Sequence, residues 1–117
     1  MKYTGSCHCG KVAYEVEFDK PLDGVMECNC SICSRKGAKM AFTSRDKFTL
    51  TTPESNAKSY LFNKHRVQHR FCLECGIHAY GVGKDRQGNE LAMVNVRCLQ
   101  GVDYDALPVK HVDGRSL

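Results

Sequence analysis

Residues 67–76 read Val67-Gln68-His69-Arg70-Phe71-Cys72-Leu73-Glu74-Cys75-Gly76. Two patterns meet here. Val67, His69 and Phe71 alternate with Arg66, Gln68 and Arg70, the two-residue period of a half-buried strand. The strand then runs straight into Cys72 and Cys75, two thiols separated by two residues. A tight turn of that length brings both sulfurs round one ion. The stretch therefore predicts a strand that ends in a metal knuckle.

The rest of the chain repeats the strand signal. Val12, Tyr14, Val16 and Phe18 alternate with Ala13, Glu15 and Glu17, until residues 20–24, KPLDG, break the pattern. Met40 and Phe42, then Phe48 and Leu50, keep the same rhythm on either side of Ser44-Arg45-Asp46, and Tyr60 and Phe62 continue it. Residues 81–83, GVG, and 85–89, DRQGN, read as turns, the second leading into a last strand over residues 91–98. No helical stripe of helix length is present; residues 31–37 have room for one turn. The fold class is all-β, a single domain over residues 1–117 built from short strands.

Size and composition agree. A chain of 117 residues supports one modest core, in which added cross-links matter. Eight cysteines is far above ordinary usage, and implies either disulfides in an oxidising compartment or metal in a reducing one. The opening MKYTGSCHCG has no apolar run behind its basic residue, which argues against a secretory leader. No segment approaches the roughly 18 apolar residues of a membrane span. The expectation is a cytoplasmic protein whose thiols bind metal.

The formal charge of +4 treats every cysteine as a neutral thiol. With zinc on four thiolates (about −2) and on three (about −1), the loaded protein would carry about +1. The 17 Lys and Arg are scattered, with short clusters at Ser34-Arg35-Lys36 and Lys64-His65-Arg66, so nucleic acid is a weak candidate partner.

Seven of the eight cysteines fall into three clusters: Cys7-His8-Cys9-Gly10, Cys28-Asn29-Cys30-Ser31-Ile32-Cys33, and Cys72-Leu73-Glu74-Cys75-Gly76. They can be joined in two ways. An ordinary zinc ribbon would pair Cys30 and Cys33 with Cys72 and Cys75, stranding Cys7, Cys9 and Cys28. The other pairing joins Cys7, Cys9, Cys72 and Cys75 and leaves the central triplet whole. Gly10 and Gly76 favour the second, because each follows the last cysteine of its cluster, where a knuckle needs a positive φ. Ser34 follows Cys33 instead. Three protein ligands with an open fourth position is the pattern of a catalytic zinc. His8, His69, His78 or Cys98 could instead close that site from elsewhere in the chain. Cys98, at the end of an apolar run, reads as buried.

With these clusters in this order, the sequence resembles the glutathione-dependent formaldehyde-activating enzyme family. The likeness runs from Gly5-Ser6-Cys7-His8-Cys9-Gly10 through the central triplet and Phe71-Cys72-Leu73-Glu74-Cys75-Gly76 to residues 94–99, VNVRCL. It implies a β-tent fold of short antiparallel sheets stapled by two Zn2+ ions, similar to that of the Rab-binding zinc chaperones. It also implies that Cys7, Cys9, Cys72 and Cys75 hold structural zinc and that Cys28, Cys30 and Cys33 hold a catalytic zinc. The implied activity is a carbon-sulfur lyase that makes or breaks S-(hydroxymethyl)glutathione. The family often has His between its first two central cysteines; Asn29 stands here, which leaves the ligands in place and the exact substrate open.

Glutathione brings two carboxylates, and Arg35, Lys36 and Lys39 follow the triplet closely enough to receive them. No residue stands out as a general base, and Glu74, inside a knuckle, reads as exposed. Two other functions compete: a binding module in which both zincs are structural, and a nucleic-acid-binding protein. The oligomeric state is open.

Overall fold

A computed structural model describes residues 1–61, 67–85 and 87–116. Phe62, the Lys64-His65-Arg66 cluster, and Arg86 of the expected 85–89 turn lie outside the described residues. The first strands are β1 (Lys2–Ser6), β2 (Ala13–Glu17), β3 (Val25–Cys28), β4 (Met40–Ser44) and β5 (Phe48–Leu50). They are followed by β6 (Ala57–Tyr60), β7 (Val67–Cys72), β8 (His78–Lys84), β9 (Glu90–Asn95) and β10 (Val109–Val112). Short 3-10 turns punctuate them, and the α-helix α1 (Ser31–Lys36) follows the second cysteine of the central triplet.

The strands, which the alternating patterns predict, form two sheets. A small one has the order β1-β2-β5, and a larger one has the order β10-β3-β4-β9-β8-β7-β6. Pairing is antiparallel except between β10 and β3, which run parallel with Val112 opposite Cys28. The β3–β4 junction is a seam held at one register pair, Met26 with Met40.

The two sheets share a core. Val12, Tyr14, Val16 and Phe18 are all buried, as their alternation predicts. Tyr14 of β2 and Phe48 of β5 meet Tyr80 of β8 with ring centroids 5.9 and 4.8 Å away, and the Tyr14 hydroxyl donates to the Ala79 carbonyl at 2.9 Å. This buried aromatic group ties the small sheet to the large one.

Three expectations need correction. Residues 81–83 lie inside β8 and do not turn: a Cβ on Gly81 would come within 3.0 Å of both the Gln68 carbonyl and the Met93 side chain, so this glycine serves close strand packing. The last strand stops at Asn95, whose side chain accepts a hydrogen bond from the Arg97 amide at 3.2 Å and caps a 3-10 turn over Val96–Cys98. In β7 the register shifts between Arg70 and Phe71. The bulge breaks the simple alternation, burying His69 and Arg70 together while Phe71 is half-buried. Arg70 is satisfied by the Tyr80 hydroxyl, Ser59 Oγ and the Glu54 carbonyl.

Gly5 of β1 lies under the Tyr14 ring, where a Cβ would come within 2.7 Å of Tyr14 Cζ. Gly5→Ala is expected to destabilise the metal-loaded protein by about 1–3 kcal/mol, since overpacking outweighs the smaller gain from a less flexible unfolded chain. A thermal unfolding midpoint no lower than that of the wild type would contradict this packing.

Candidate metal centres

The first cluster is built from two turns. Cys7 and Cys9 follow β1, while Cys72 ends β7 and Cys75 lies in the turn to β8. The four sulfurs lie within 4.8 Å of one another. Gly10 and Gly76 have φ of 85° and 78°, the left-handed conformation anticipated for both knuckles. Main-chain amides point at the sulfurs: Val12 N is 3.4 Å from Cys7 Sγ, and Glu74 N is 3.3 Å from Cys72 Sγ.

The donor set fits zinc. Four thiolates at about 2.3 Å from one ion give a tetrahedron with edges of about 3.8 Å. Cys9 Sγ lies 3.7 Å from Cys7 Sγ and 3.5 Å from Cys72 Sγ. All eight cysteines are free thiols, so none of these contacts is a disulfide.

The second cluster is Cys28, Cys30 and Cys33, with sulfurs again within 4.8 Å of one another. Cys28 ends β3. Cys30 is the N-cap of α1, its sulfur accepting from the Cys33 amide at 3.4 Å, so one side chain starts the helix and also faces the centre. Gly37 closes α1 in the left-handed conformation, φ 65°. Burial, followed by the neighbouring Cys30 and Cys28 sulfurs, pushes the Cys33 thiol up to about 12. Three thiols this close resist joint ionisation at neutral pH, and a divalent cation reverses that balance.

Each cluster is therefore a group that could hold a metal ion, in the pairing that the glycines favour. Among the described residues no histidine joins either group. His8 is exposed. His69 and His78 turn their Nδ1 atoms to Lys36 Nζ, at 3.0 and 3.1 Å. Cys98 packs half-buried against the core beside the four-sulfur group; burial, then the Cys7 and Cys75 sulfurs, push its thiol up to about 11.

The three basic residues expected to receive carboxylates have separate partners. Arg35 is exposed and donates to the Ser31 carbonyl at 2.8 Å. Lys36 faces the histidine pair. Lys39 reaches Asp105 at 3.6 Å and lies over the Tyr104 ring. Glu74 is exposed and pairs with Lys11 at 3.7 Å.

The structure adds a clamp that the sequence did not reveal. The Asn29 amide group donates to Asp113 Oδ1 and accepts from the Arg115 amide, both at 2.9 Å, and its own main-chain N–H reaches the Val112 carbonyl at 3.1 Å. These bonds hold the turn Gly114–Ser116 against the triplet, so closely that a Cβ on Gly114 would lie 2.3 Å from Cys28 Sγ. Beside it is a cavity of about 350 Å3 lined by Glu27, Cys28, Asn29, Ser34, His111 and Asp113. The partners lie more than 80 residues apart in the chain, and β10 has no regular apolar alternation, which is why pattern reading missed them.

Fold and sulfurs together define a small β protein with two separate thiol groups of metal-binding geometry. The family model described as glutathione-dependent formaldehyde-activating enzyme matches residues 2–112. The chain belongs to this family. It is also similar to the crystal structure of a Rhodobacter sphaeroides protein, a structural-genomics target. That protein is 32% identical, the match covers 92% of this chain and 99% of that one, and the TM-score is 0.78. Among the described residues no helix is long and apolar enough to cross a membrane.

Gly114→Ala is expected to weaken metal retention at the central triplet by roughly tenfold or more, through displacement of Cys28, and to leave the four-sulfur group unchanged. Metal analysis after graded chelator challenge checks this. Retention of both metals equal to wild type would contradict the contact.

Proposed function

We propose that the central triplet is the working centre of a zinc-dependent carbon-sulfur lyase that makes or breaks a thiol-aldehyde adduct such as S-(hydroxymethyl)glutathione. Membership of the formaldehyde-activating family supports this class of activity. The observation that carries the finer reading is the contrast between the two groups: four sulfurs converge in one, three in the other, with no further cysteine, histidine or carboxylate joining the three among the described residues. Four thiolates close a tetrahedral ion, whereas three leave one direction for a visitor.

Zinc on the triplet would favour the thiolate form of an incoming thiol and draw charge from an aldehyde oxygen. The chain's own residues do the rest. Cys7, Cys9, Cys72 and Cys75 would hold the structural zinc. Cys28, Cys30 and Cys33 present their sulfurs from one short strand-to-helix segment, fixed by the Cys30 cap. The Asn29 clamp packs against Cys28, and the cavity it borders is lined by Cys28 itself, which gives a small molecule a route to the triplet from that side. Arg35 remains the candidate contact for a glutathione carboxylate; Lys39 could serve only by leaving Asp105. Residues 1–117 act as one unit in this reading, and eight free thiols suit the reducing cytoplasm.

Zinc-loaded protein is expected to accelerate adduct formation from formaldehyde and glutathione in proportion to its concentration, measured by exchange NMR against the spontaneous rate. Cys30→Ser should fold and lose this activity by roughly 100-fold or more. Cys72→Ser should lower the unfolding midpoint sharply, since a structural zinc contributes on the order of 10 kcal/mol. An inactive wild type, or a Cys30→Ser protein that unfolds just as Cys72→Ser does, would leave a zinc-stapled binding module in place of an enzyme.

A further inference from the structure

Lys36 stands one helical turn after Cys33 on α1, so the two side chains are neighbours on one face. Its ammonium is half-buried against His69 of β7 and His78 of β8, 3.0 and 3.1 Å from their Nδ1 atoms. An ammonium has three N–H donors and no lone pair. Both Nδ1 atoms therefore accept, and both rings carry their proton on Nε2. Burial, then the Lys36 charge, pulls His69 down to about 4 and His78 to about 3, so both rings are neutral acceptors near neutral pH. Two N–H groups are used in this way. The third has no protein partner among the described residues.

This is an unusual way to bury a cation. A carboxylate would neutralise the ammonium directly, but its two hydrogen-bond partners among the described residues are neutral rings. Burial lowers the pKa of the Lys36 ammonium, while the Cys33 and Cys30 sulfurs, within electrostatic reach, raise it. His78 Nε2 is a buried donor with no close hydrogen-bond partner among the described residues. A positive charge within electrostatic reach of the triplet suits a reaction in which addition of a thiolate to an aldehyde leaves negative charge on oxygen.

We propose that Lys36 is a catalytic residue of the central site, its ammonium hydrogen-bonding the aldehyde oxygen and protonating it as the carbon-sulfur bond forms, with His69 and His78 as positioning residues. This rests on the function proposed above and replaces the expected role of Lys36 as a carboxylate contact. The thiol gives its proton to solvent. The sulfur electron pair forms the bond to carbon, the carbonyl π pair moves to oxygen, and that oxygen takes a proton from Lys36 Nζ. The amine regains a proton from water. One thiol and one aldehyde thus give one hydroxyalkyl thioether, with protons balanced, and cleavage runs the same steps backwards.

Lys36→Met keeps the length of the stem and removes the donor. In the zinc-loaded protein it is expected to lower the adduct-forming rate by roughly 100-fold, as loss of a general acid does. Glutathione affinity, read by calorimetry, should stay within about threefold of wild type. Lys36→Arg keeps the charge but cannot release a proton, and should remain at least about tenfold slow even when folded as wild type. Apart from activity, the imidazole 15N spectrum of the holoprotein should show unprotonated Nδ1 atoms on His69 and His78 whose shifts move in Lys36→Met. A Lys36→Met rate within about threefold of wild type overturns the proposal, as does an affinity loss that matches the rate loss, which would make Lys36 a substrate anchor. Unmoved imidazole shifts overturn the positioning role of the histidines. A wild type inert toward thiol and aldehyde removes the proposed function and this inference together, whereas an active wild type with an unaffected variant removes this inference alone.

Discussion

The constraint on which the structure depends is the mutual repulsion of crowded sulfurs. Cys9 and Cys72 are 63 residues apart in the chain and their sulfurs 3.5 Å apart in space, joined by no disulfide. Ionised thiols at that distance repel, and neutral thiols attract only weakly. A divalent cation turns the same geometry into the strongest local attraction in the molecule. The turn after β1 and the turn between β7 and β8 are then one unit. The sheets they belong to meet through Tyr14, Phe48 and Tyr80, which share one core cluster with Cys7 and Cys72, so the aromatic packing and the four-sulfur group reinforce each other.

The central triplet differs in how it is made. Its three sulfurs come from six consecutive residues, so the chain brings them together without long-range folding, and Cys30 does so while capping α1. What long-range folding adds is the surround. The parallel strand β10 delivers residues 112–116 to Asn29, and β7 and β8 deliver His69 and His78 to Lys36. Asn29 thus has a defined structural use here, since its amide both donates and accepts, matching one carboxylate and one main-chain N–H.

The legible parts of the fold were those governed by local periodicity and local chemistry. The alternation from Val12 to Phe18 placed four side chains in the core, and Gly10 and Gly76 marked the two halves of one group through a backbone conformation that other residues resist. Misread segments were those where a tertiary contact overrode the local signal. Gly81 resembles a turn residue, but it is a glycine because Gln68 and Met93 leave no room for a Cβ. Arg70 looks outward-facing by alternation, but a bulge and three hydrogen-bonding partners bury it. For the site, sulfur spacing was enough to find both groups of ligands. Lys36 was singled out for its charge, and only the fold shows that its partners are two neutral rings. Residues 113–116 carry no motif at all, so their contact with Cys28 was beyond any reading of spacing.

The central claim is that a metal ion on Cys28, Cys30 and Cys33 keeps one coordination direction open to a small thiol. Zinc X-ray absorption fine structure of the fully loaded protein, recorded before and after addition of glutathione, tests it most directly. The account predicts a light oxygen neighbour alongside the sulfur shell, replaced by sulfur when the thiol is added. A shell of sulfur alone before addition, or a histidine scattering pattern that glutathione leaves unchanged, would contradict it.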